Sequence, residues 1–177
     1  VLGPGSADLL ALARHDVNKN LPALFRGVAR LQLQCPQWHG VMRIVGRGGR
    51  QTPLVTRLHQ QLPRPQQVQL IDALPQAQLV QTMRSSLAVL SASTEEGFDY
   101  PVLEAKAEGI PTVISDIPVH REFHDGSSLL FPVGDDGSGL FRQVADLLQD
   151  QSLWSELSRK GLDLARTLSV EAQIDSI

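Results

Sequence analysis

Three features of the sequence predict an α/β protein built on a doubly wound parallel sheet. Short apolar segments alternate with helical segments from the start of the chain to about residue 131. The apolar segments are continuous runs, such as LAVL at residues 87–90, which is typical of strands buried on both faces. Beyond residue 131 the pattern is helical only. Together these features predict one Rossmann-like domain with helices on both faces of the sheet.

The predicted strands are short and rich in Leu, Val and Ile. They are Asp8–Ala13, Val41–Gly46, Val68–Ile71, Leu87–Ser93, Thr112–Ser115 and a short sixth at Ser128–Phe131. Apolar residues at helical spacing, and prolines suited to a first helical turn, predict the helices. These are residues 21–31, Pro53–Leu62, Pro75–Arg84, Pro101–Glu108, Gly139–Leu148, Leu153–Leu168 and Val170–Ile177.

Composition narrows the class of protein. The 177 residues are 42% hydrophobic and 20% charged, which is ordinary for a globular domain, and the net charge of −3 does not indicate a nucleic-acid partner. A single cysteine, Cys35, allows no internal disulfide and suits a reducing compartment. No apolar run is long enough to span a bilayer and no signal peptide is visible, so we expect a cytoplasmic protein. Because the first residue is Val1 rather than Met, we expect a piece of a longer chain or a processed form.

Two glutamates flank a predicted strand-to-helix turn in the segment STEEGFDYPVLEAKAEGIPTV. Glu96 lies on the turn that leaves the fourth strand, and Glu104 lies on the second turn of the following helix. Ligands bind beyond the carboxyl ends of parallel strands, and a helix N-terminus there favours phosphate. Gly97 permits close approach of a ligand to the backbone. The alternative is that both acids are solvated surface groups.

Basic residues follow the first two predicted strands and would share that edge of the sheet. Arg14 and Lys19 come after the first strand, and Arg47 and Arg50 surround Gly48 after the second. Cations that face a helix N-terminus make a site for a diphosphate. The alternative is that these residues only keep a polar loop soluble.

The segment TEEGFDYPVLEAKAEGIPTVISD, residues 94–116, resembles the signature of the retaining glycosyltransferases of family four, the glycosyl transferases group 1. The similarity extends from about Leu9 onward. It includes ARHDVNKN, RIVGRGG, IPVHREFHDGSSLLFPVGD and SLWSELSRKGLDLARTLSVEAQ. The resemblance implies a two-domain fold of the glycosyltransferase-B type. Residues 1–177 would form its C-terminal, donor-binding domain, and the N-terminal, acceptor-binding domain would lie outside this chain.

The resemblance also implies roles for individual residues. Glu96 would face the donor sugar, while Arg14 and Lys19 would hold the pyrophosphate and stabilise the charge that develops on the leaving group. The other implied donor-binding residues are Glu104 at the ribose hydroxyls, the backbone of Gly97, Phe98 and Asp99, and the glycine loop with Gly46 and Gly48. The donor is a nucleotide-sugar, and neither a metal nor a cofactor is expected.

The sequence departs from the family pattern at three positions, and it leaves other functions open. Asp99 stands where the family often has Gly, Lys106 where it has a small or apolar residue, and Asp72 where glycine is frequent. The alternatives are a nucleotide-sugar epimerase or phosphorylase of the same fold, or a non-catalytic nucleotide-binding α/β module. Without an acceptor-binding domain, the chain alone is expected to be inactive. Whether the longer enzyme associates with a membrane is not readable from these residues.

Other polar and aromatic residues are assigned simpler roles. His120 and His124 in the segment HREFH lack the zinc-protease spacing and are expected to be exposed in a polar connector, without a metal. Trp38 and Trp154 are expected to pack in the core, and Cys35 is not expected to act as a nucleophile.

Overall fold

The computed structural model describes residues 6–169, which form a six-stranded sheet covered by helices. All strand pairs are parallel, in the order β3-β2-β1-β4-β5-β6. The strands are β1 (Leu9–Leu12), β2 (Met42–Val45), β3 (Val68–Ile71), β4 (Ala88–Ser91), β5 (Thr112–Ser115) and β6 (Leu129–Phe131). The predicted doubly wound α/β class is confirmed, including the sixth strand.

Seven α-helices and two short 3-10 helices connect the strands in the described part of the chain. The 3-10 helices are Val17–Lys19 and Pro65–Gln67. The α-helices are α1 (Leu21–Gln34), α2 (Thr52–Gln60), α3 (Gln76–Arg84), α4 (Tyr100–Ala107), α5 (Pro118–His124), α6 (Ser138–Gln149) and α7 (Gln151–Thr167). Sequence analysis did not predict α5, and the helix predicted at Val170–Ile177 lies outside the described residues.

The core lies on both sides of the sheet, as the continuous apolar strands predict. In β4, Ala88, Val89 and Leu90 are each at most 3% exposed. Two tryptophans are buried in the same core, and their indole N–H groups donate to the Ala7 and Leu87 carbonyls at 2.8 Å. The packing role expected for Trp38 and Trp154 is confirmed.

The strand order places a crevice at the centre of the sheet. β1 pairs with β2 on one side and with β4 on the other, so the connections that leave β1 and β4 run to opposite sides. Their loops therefore diverge at the carboxyl ends of these two strands. This divergence is the topological switch point at which open α/β sheets bind ligands.

Candidate active site

Two loops meet at the crevice. They are the β1–α1 loop, residues 13–20, and the β4–α4 loop, residues 92–99. The Thr94 N–H donates to the Asn18 carbonyl at 2.9 Å, which ties the two backbones together. Lys19, in the 3-10 helix of the first loop, forms an ion pair with Glu96 of the second. Two of the three residues predicted to be catalytic are thus in direct contact.

The ion pair leaves hydrogen-bonding capacity on both partners. Glu96 Oε1 accepts from Lys19 Nζ and from Ser93 Oγ, the latter at 2.6 Å. Among the described residues, Glu96 Oε2 accepts no hydrogen bond. An ammonium has three N–H donors, of which Glu96 uses one. The pair therefore offers a ligand one carboxylate oxygen and two ammonium protons.

Asp99 closes the β4–α4 loop in an unusual conformation. Its φ of 66° lies in the left-handed region, which explains why glycine is common at this position in the family that the sequence resembles. Its carboxylate is turned inward, where Oδ2 accepts from Ser91 Oγ at 2.6 Å and faces His120 Nε2 at 2.9 Å. Burial alone raises the pKa of Asp99, but the hydrogen bonds from His120 and Ser91 outweigh burial, and the pKa is lowered.

The N-terminus of α4 is open because of this arrangement. The Asp99 side chain makes no capping hydrogen bond to the helix, and the Tyr100 N–H has no partner among the described residues, so it is available to a ligand. Pro101 has no N–H, and the Val102 N–H donates to the Asp99 carbonyl at 3.1 Å. A Cβ on Gly97 would meet no atom within 4 Å, so packing alone does not require glycine there. The Phe98 ring lies against Phe123 and Tyr100, at centroid distances of 4.9 and 5.2 Å.

The glycine loop after β2 packs against the β1–α1 loop. A Cβ on Gly46 would lie 2.0 Å from the Ala13 carbonyl oxygen, and one on Gly49 would lie 2.6 Å from that of His15. Close packing thus accounts for these two glycines without a ligand. Gly48 is exposed and less crowded. Donor contacts from Gly46 and Gly48 stay predictions.

Two other predicted residues lie apart from the ion pair. Arg14 is exposed, with its Nε 3.2 Å from Asp16 Oδ2. Glu104 is exposed on α4, where it lines a cleft of about 170 Å³ against Gln76 and Leu79 of α3. Their contacts with phosphate and ribose also stay predictions.

Comparison with known proteins identifies the family. The family model described as Glycosyl transferases group 1 matches residues 6–150. The chain belongs to this family. The resemblance in the signature segment is thereby confirmed.

Three similar proteins are larger than this glycosyltransferase-family chain. It is 28% identical over 153 residues to the GtfA subunit of the UDP-N-acetylglucosamine–peptide N-acetylglucosaminyltransferase of Streptococcus parasanguinis, covering 82% of this chain and 29% of that protein. The pneumococcal O-GlcNAc transferase GtfA, solved with UDP and GlcNAc, has a TM-score of 0.78 at 21% identity, over 96% of this chain and 34% of that one. HepE of Anabaena, solved with UDP and glucose, has a TM-score of 0.80 at 20% identity, over 97% and 47%. These solved structures share the fold.

The two histidines of this glycosyltransferase-family chain correct a prediction. His120 and His124 lie on α5 and are fully buried, whereas an exposed connector was expected. Pro118 in the first turn and the spacing of four residues between the histidines were the available signals of a helix. Neither ring nitrogen of His124 has a hydrogen-bond partner among residues 6–169. Burial, followed by the positive charges of Lys106 and His120, lowers the pKa of His124 to about 4. Asp99 and the Phe98 carbonyl act in the opposite direction, although that carbonyl does not meet hydrogen-bond geometry.

Lys106, the charged residue that departs from the family pattern, lies inside the protein. It is 1% exposed, and its Nζ lies 2.5 Å from Ser127 Oγ. Its Cγ would lie 3.1 Å from a Cβ on Gly161, so α7 needs a glycine where the lysine stem packs. Burial lowers the pKa of Lys106 to about 7.

Two kinds of feature are absent from residues 6–169. No group of three or more His, Cys, Asp or Glu residues there could hold a metal ion. No helix in that range is long and apolar enough to cross a membrane.

Proposed function

We propose that this chain is the donor-binding domain of a retaining glycosyltransferase and that it binds a nucleoside-diphosphate sugar at the β1/β4 crevice. The observation that carries the proposal is the Lys19–Glu96 ion pair beside the open N-terminus of α4. Family membership supports it, as do solved structures of the same fold with UDP and a sugar. UDP is therefore the first nucleotide to test.

The geometry suits a leaving diphosphate. The Tyr100 N–H at the N-terminus of α4 and the free protons of Lys19 would supply positive potential where the glycosidic bond breaks and negative charge develops. Oε2 of Glu96 is an acceptor for a sugar hydroxyl. Glu104, exposed one helical turn along α4, would bind the ribose hydroxyls, and the exposed Arg14 would be a second cation for the phosphates. No residue in this scheme requires a metal ion.

The acceptor would bind to a second domain. The chain spans 29% of its curated relative and 34% and 47% of the two solved proteins, so most of each relative lies outside the matching region. We propose that an N-terminal domain of the natural protein faces this rim and provides the acceptor site. Transfer then requires both domains, and the 177-residue chain alone binds donor without transferring sugar.

Ligand-induced stabilisation tests the proposal directly. The melting temperature of the chain would be measured with UDP, ADP, GDP, uridine, UDP-glucose and UDP-N-acetylglucosamine. At a ligand concentration of about 100 times Kd, binding contributes about 2.7 kcal/mol, which raises the Tm by about 5–10 °C for a domain of this size. Absence of a shift with every nucleotide would overturn the proposal. Retention would be tested on the two-domain protein, from the anomeric configuration of the first product by NMR.

A further inference from the structure

A buried pair beneath the β4–α4 loop has no place in the scheme above. Asp99 and His120 face each other at 2.9 Å, with side chains 3% and 0% exposed. Neither side chain can reach a ligand at the rim from that depth. Both nevertheless connect to the loop that carries Glu96, since Asp99 is the last residue of that loop.

The hydrogen-bond partners of His120 determine its protonation. Nδ1 lies 2.7 Å from the Ser115 backbone carbonyl, which can only accept, so Nδ1 carries a proton. Nε2 faces the Asp99 carboxylate, so the pair holds one more proton between these two atoms. This shared proton holds α5 to the loop.

The same helix supports the loop at a second point. Phe123 and His124 pack against Phe98, at centroid distances of 4.9 and 6.1 Å. The backbone of Asp99 is held in its left-handed conformation, and its side chain is anchored on both β4 and α5. Residues 96–98 are therefore held between the Lys19 contact at one end and the anchored Asp99 at the other.

We propose that His120 is a positioning residue for donor binding. Its protonated ring, held by the Ser115 carbonyl, fixes Asp99 and thereby sets the position of Glu96, Gly97 and Phe98 without touching the ligand. This inference rests on the proposed function for its effect on affinity, but its effect on the loop itself is independent of any ligand.

Three other groups that can carry a positive charge surround the Asp99–His120 pair. Lys19 faces Asp99 from the β1–α1 loop, His124 lies 6.1 Å from the His120 ring on the same helix, and Lys106 approaches His124 from α4. Lys19 favours the carboxylate form of Asp99, while Lys106 and His124 disfavour additional positive charge. These three residues remain in a His120 variant. A difference in donor affinity between wild type and that variant therefore comes from the Asp99–His120 contact.

The variants separate the effect of the Asp99 side-chain contacts from that of the Asp99 backbone conformation. His120→Ala removes the hydrogen-bond donor that faces Asp99. Asp99→Gly removes the anchored side chain but suits the positive φ, so it tests the anchor in a variant whose backbone is not strained. Asp99→Asn keeps an acceptor and tolerates the left-handed conformation, so it should lose less affinity than Asp99→Gly. His39→Ala, at an exposed residue before β2, is the control.

Hydrogen exchange and calorimetry give the two measurements. We expect faster amide exchange at residues 94–99 in His120→Ala and Asp99→Gly, and affinity for UDP-glucose or UDP-N-acetylglucosamine, whichever the wild type binds, reduced about tenfold. The double variant should lose little more than either single one, since the two residues act as one unit.

The outcomes separate the two proposals. If the wild type binds no nucleotide but loop exchange still rises in the variants, the proposed function fails and the positioning of the loop stands. If the wild type binds donor while His120→Ala and Asp99→Gly leave exchange and affinity unchanged, the positioning role is overturned and the proposed function stands. Additive losses in the double variant would also overturn it.

Discussion

The two sides of the β1/β4 crevice are built in different ways. On the β1 and β2 side, backbone packs on backbone: the glycine loop fits against the β1–α1 loop so closely that Gly46 and Gly49 have no room for a Cβ. On the β4 and β5 side, the loop is held by side chains, through Asp99, His120 and Phe98. Gly97, the one glycine of the β4–α4 loop, has free space around it. Close packing therefore requires Gly46 and Gly49, whereas Gly97 is where a ligand has room to approach.

The largest expected effect is a loss of stability when the close packing on the β1 and β2 side is disrupted. Gly46→Ala should destabilise the chain by about 3 kcal/mol, because the new Cβ would lie 2.0 Å from a backbone oxygen that cannot move aside. Gly97→Ala is the matched control and should change stability by no more than about 0.5 kcal/mol. Urea unfolding of the two variants measures the difference. Equal destabilisation would contradict the distinction between the two sides.

The next effect concerns the cations. Lys19→Ala should weaken UDP binding about tenfold or more, since a charge-assisted contact with phosphate is worth about 1.5–3 kcal/mol. Arg14→Ala should weaken it only about two- to threefold, because the Arg14 side chain is 63% exposed and its contacts are screened by water. Calorimetry with UDP and with uridine measures both variants. If Lys19→Ala weakens uridine binding as much as UDP binding, the phosphate role is wrong.

The β4 and β5 side contains the buried Lys106, and its replacement by an apolar residue should stabilise the chain. Burial lowers the pKa of Lys106 from 10.5 to about 7, so between these values the unfolded chain binds a proton that the folded chain does not. Stability should therefore rise with pH across that window, and below pH 7 the buried ammonium is fully unfavourable. Lys106→Met should stabilise the chain by about 1–3 kcal/mol at pH 6 and by less at pH 10.

The control for that variant is Lys160→Met on the exposed face of α7, where the lysine pairs with Glu156 one turn away. It should change stability by no more than about 0.5 kcal/mol at either pH. Thermal unfolding at pH 6 and pH 10 provides the comparison. A stabilisation by Lys106→Met that does not depend on pH would show that the pKa of Lys106 is the same in the folded and the unfolded chain.

The smallest effects separate the two glutamates. Glu104→Gln should weaken binding of bare UDP about three- to fivefold, since the ribose is present in that ligand. Glu96→Gln should leave UDP affinity within about twofold and weaken the sugar-bearing donor instead, because Oε2 faces the sugar in the proposed complex. Calorimetry with UDP and with a UDP-sugar decides between them. Swapped phenotypes would mean that the two carboxylates have the opposite roles.

The fold was predictable because its signals are local. Continuous apolar runs mark the strands, and first-turn prolines place the starts of α2 and α4 within a residue. The shared rim was predictable as well, because parallel strands present their carboxyl ends at one edge. The direct contact of Lys19 with Glu96 was not predictable, because it depends on β1 lying beside β4. The sequence of a buried apolar strand does not show which strands pair with it.

Burial of polar groups was the main point that the sequence did not reveal. Lys106 is buried because α7 presents Gly161 to it, and His120 is buried because Asp99 turns inward to meet it. Each of these contacts joins residues that are distant in the chain. Charged and polar residues are usually exposed, so an analysis by residue type assigns such groups to the surface.

The central position of β1 also bears on how the chain is made. Of the six strands β1 is synthesised first, and β2 then pairs with only one of its edges. Its other edge stays open until β4 leaves the ribosome. An unpaired apolar strand such as Leu9–Leu12 is a template for association between chains. A nascent chain stalled between α3 and β4 is therefore the form of this protein most in need of a chaperone, and a chain that has passed β4 has closed that edge.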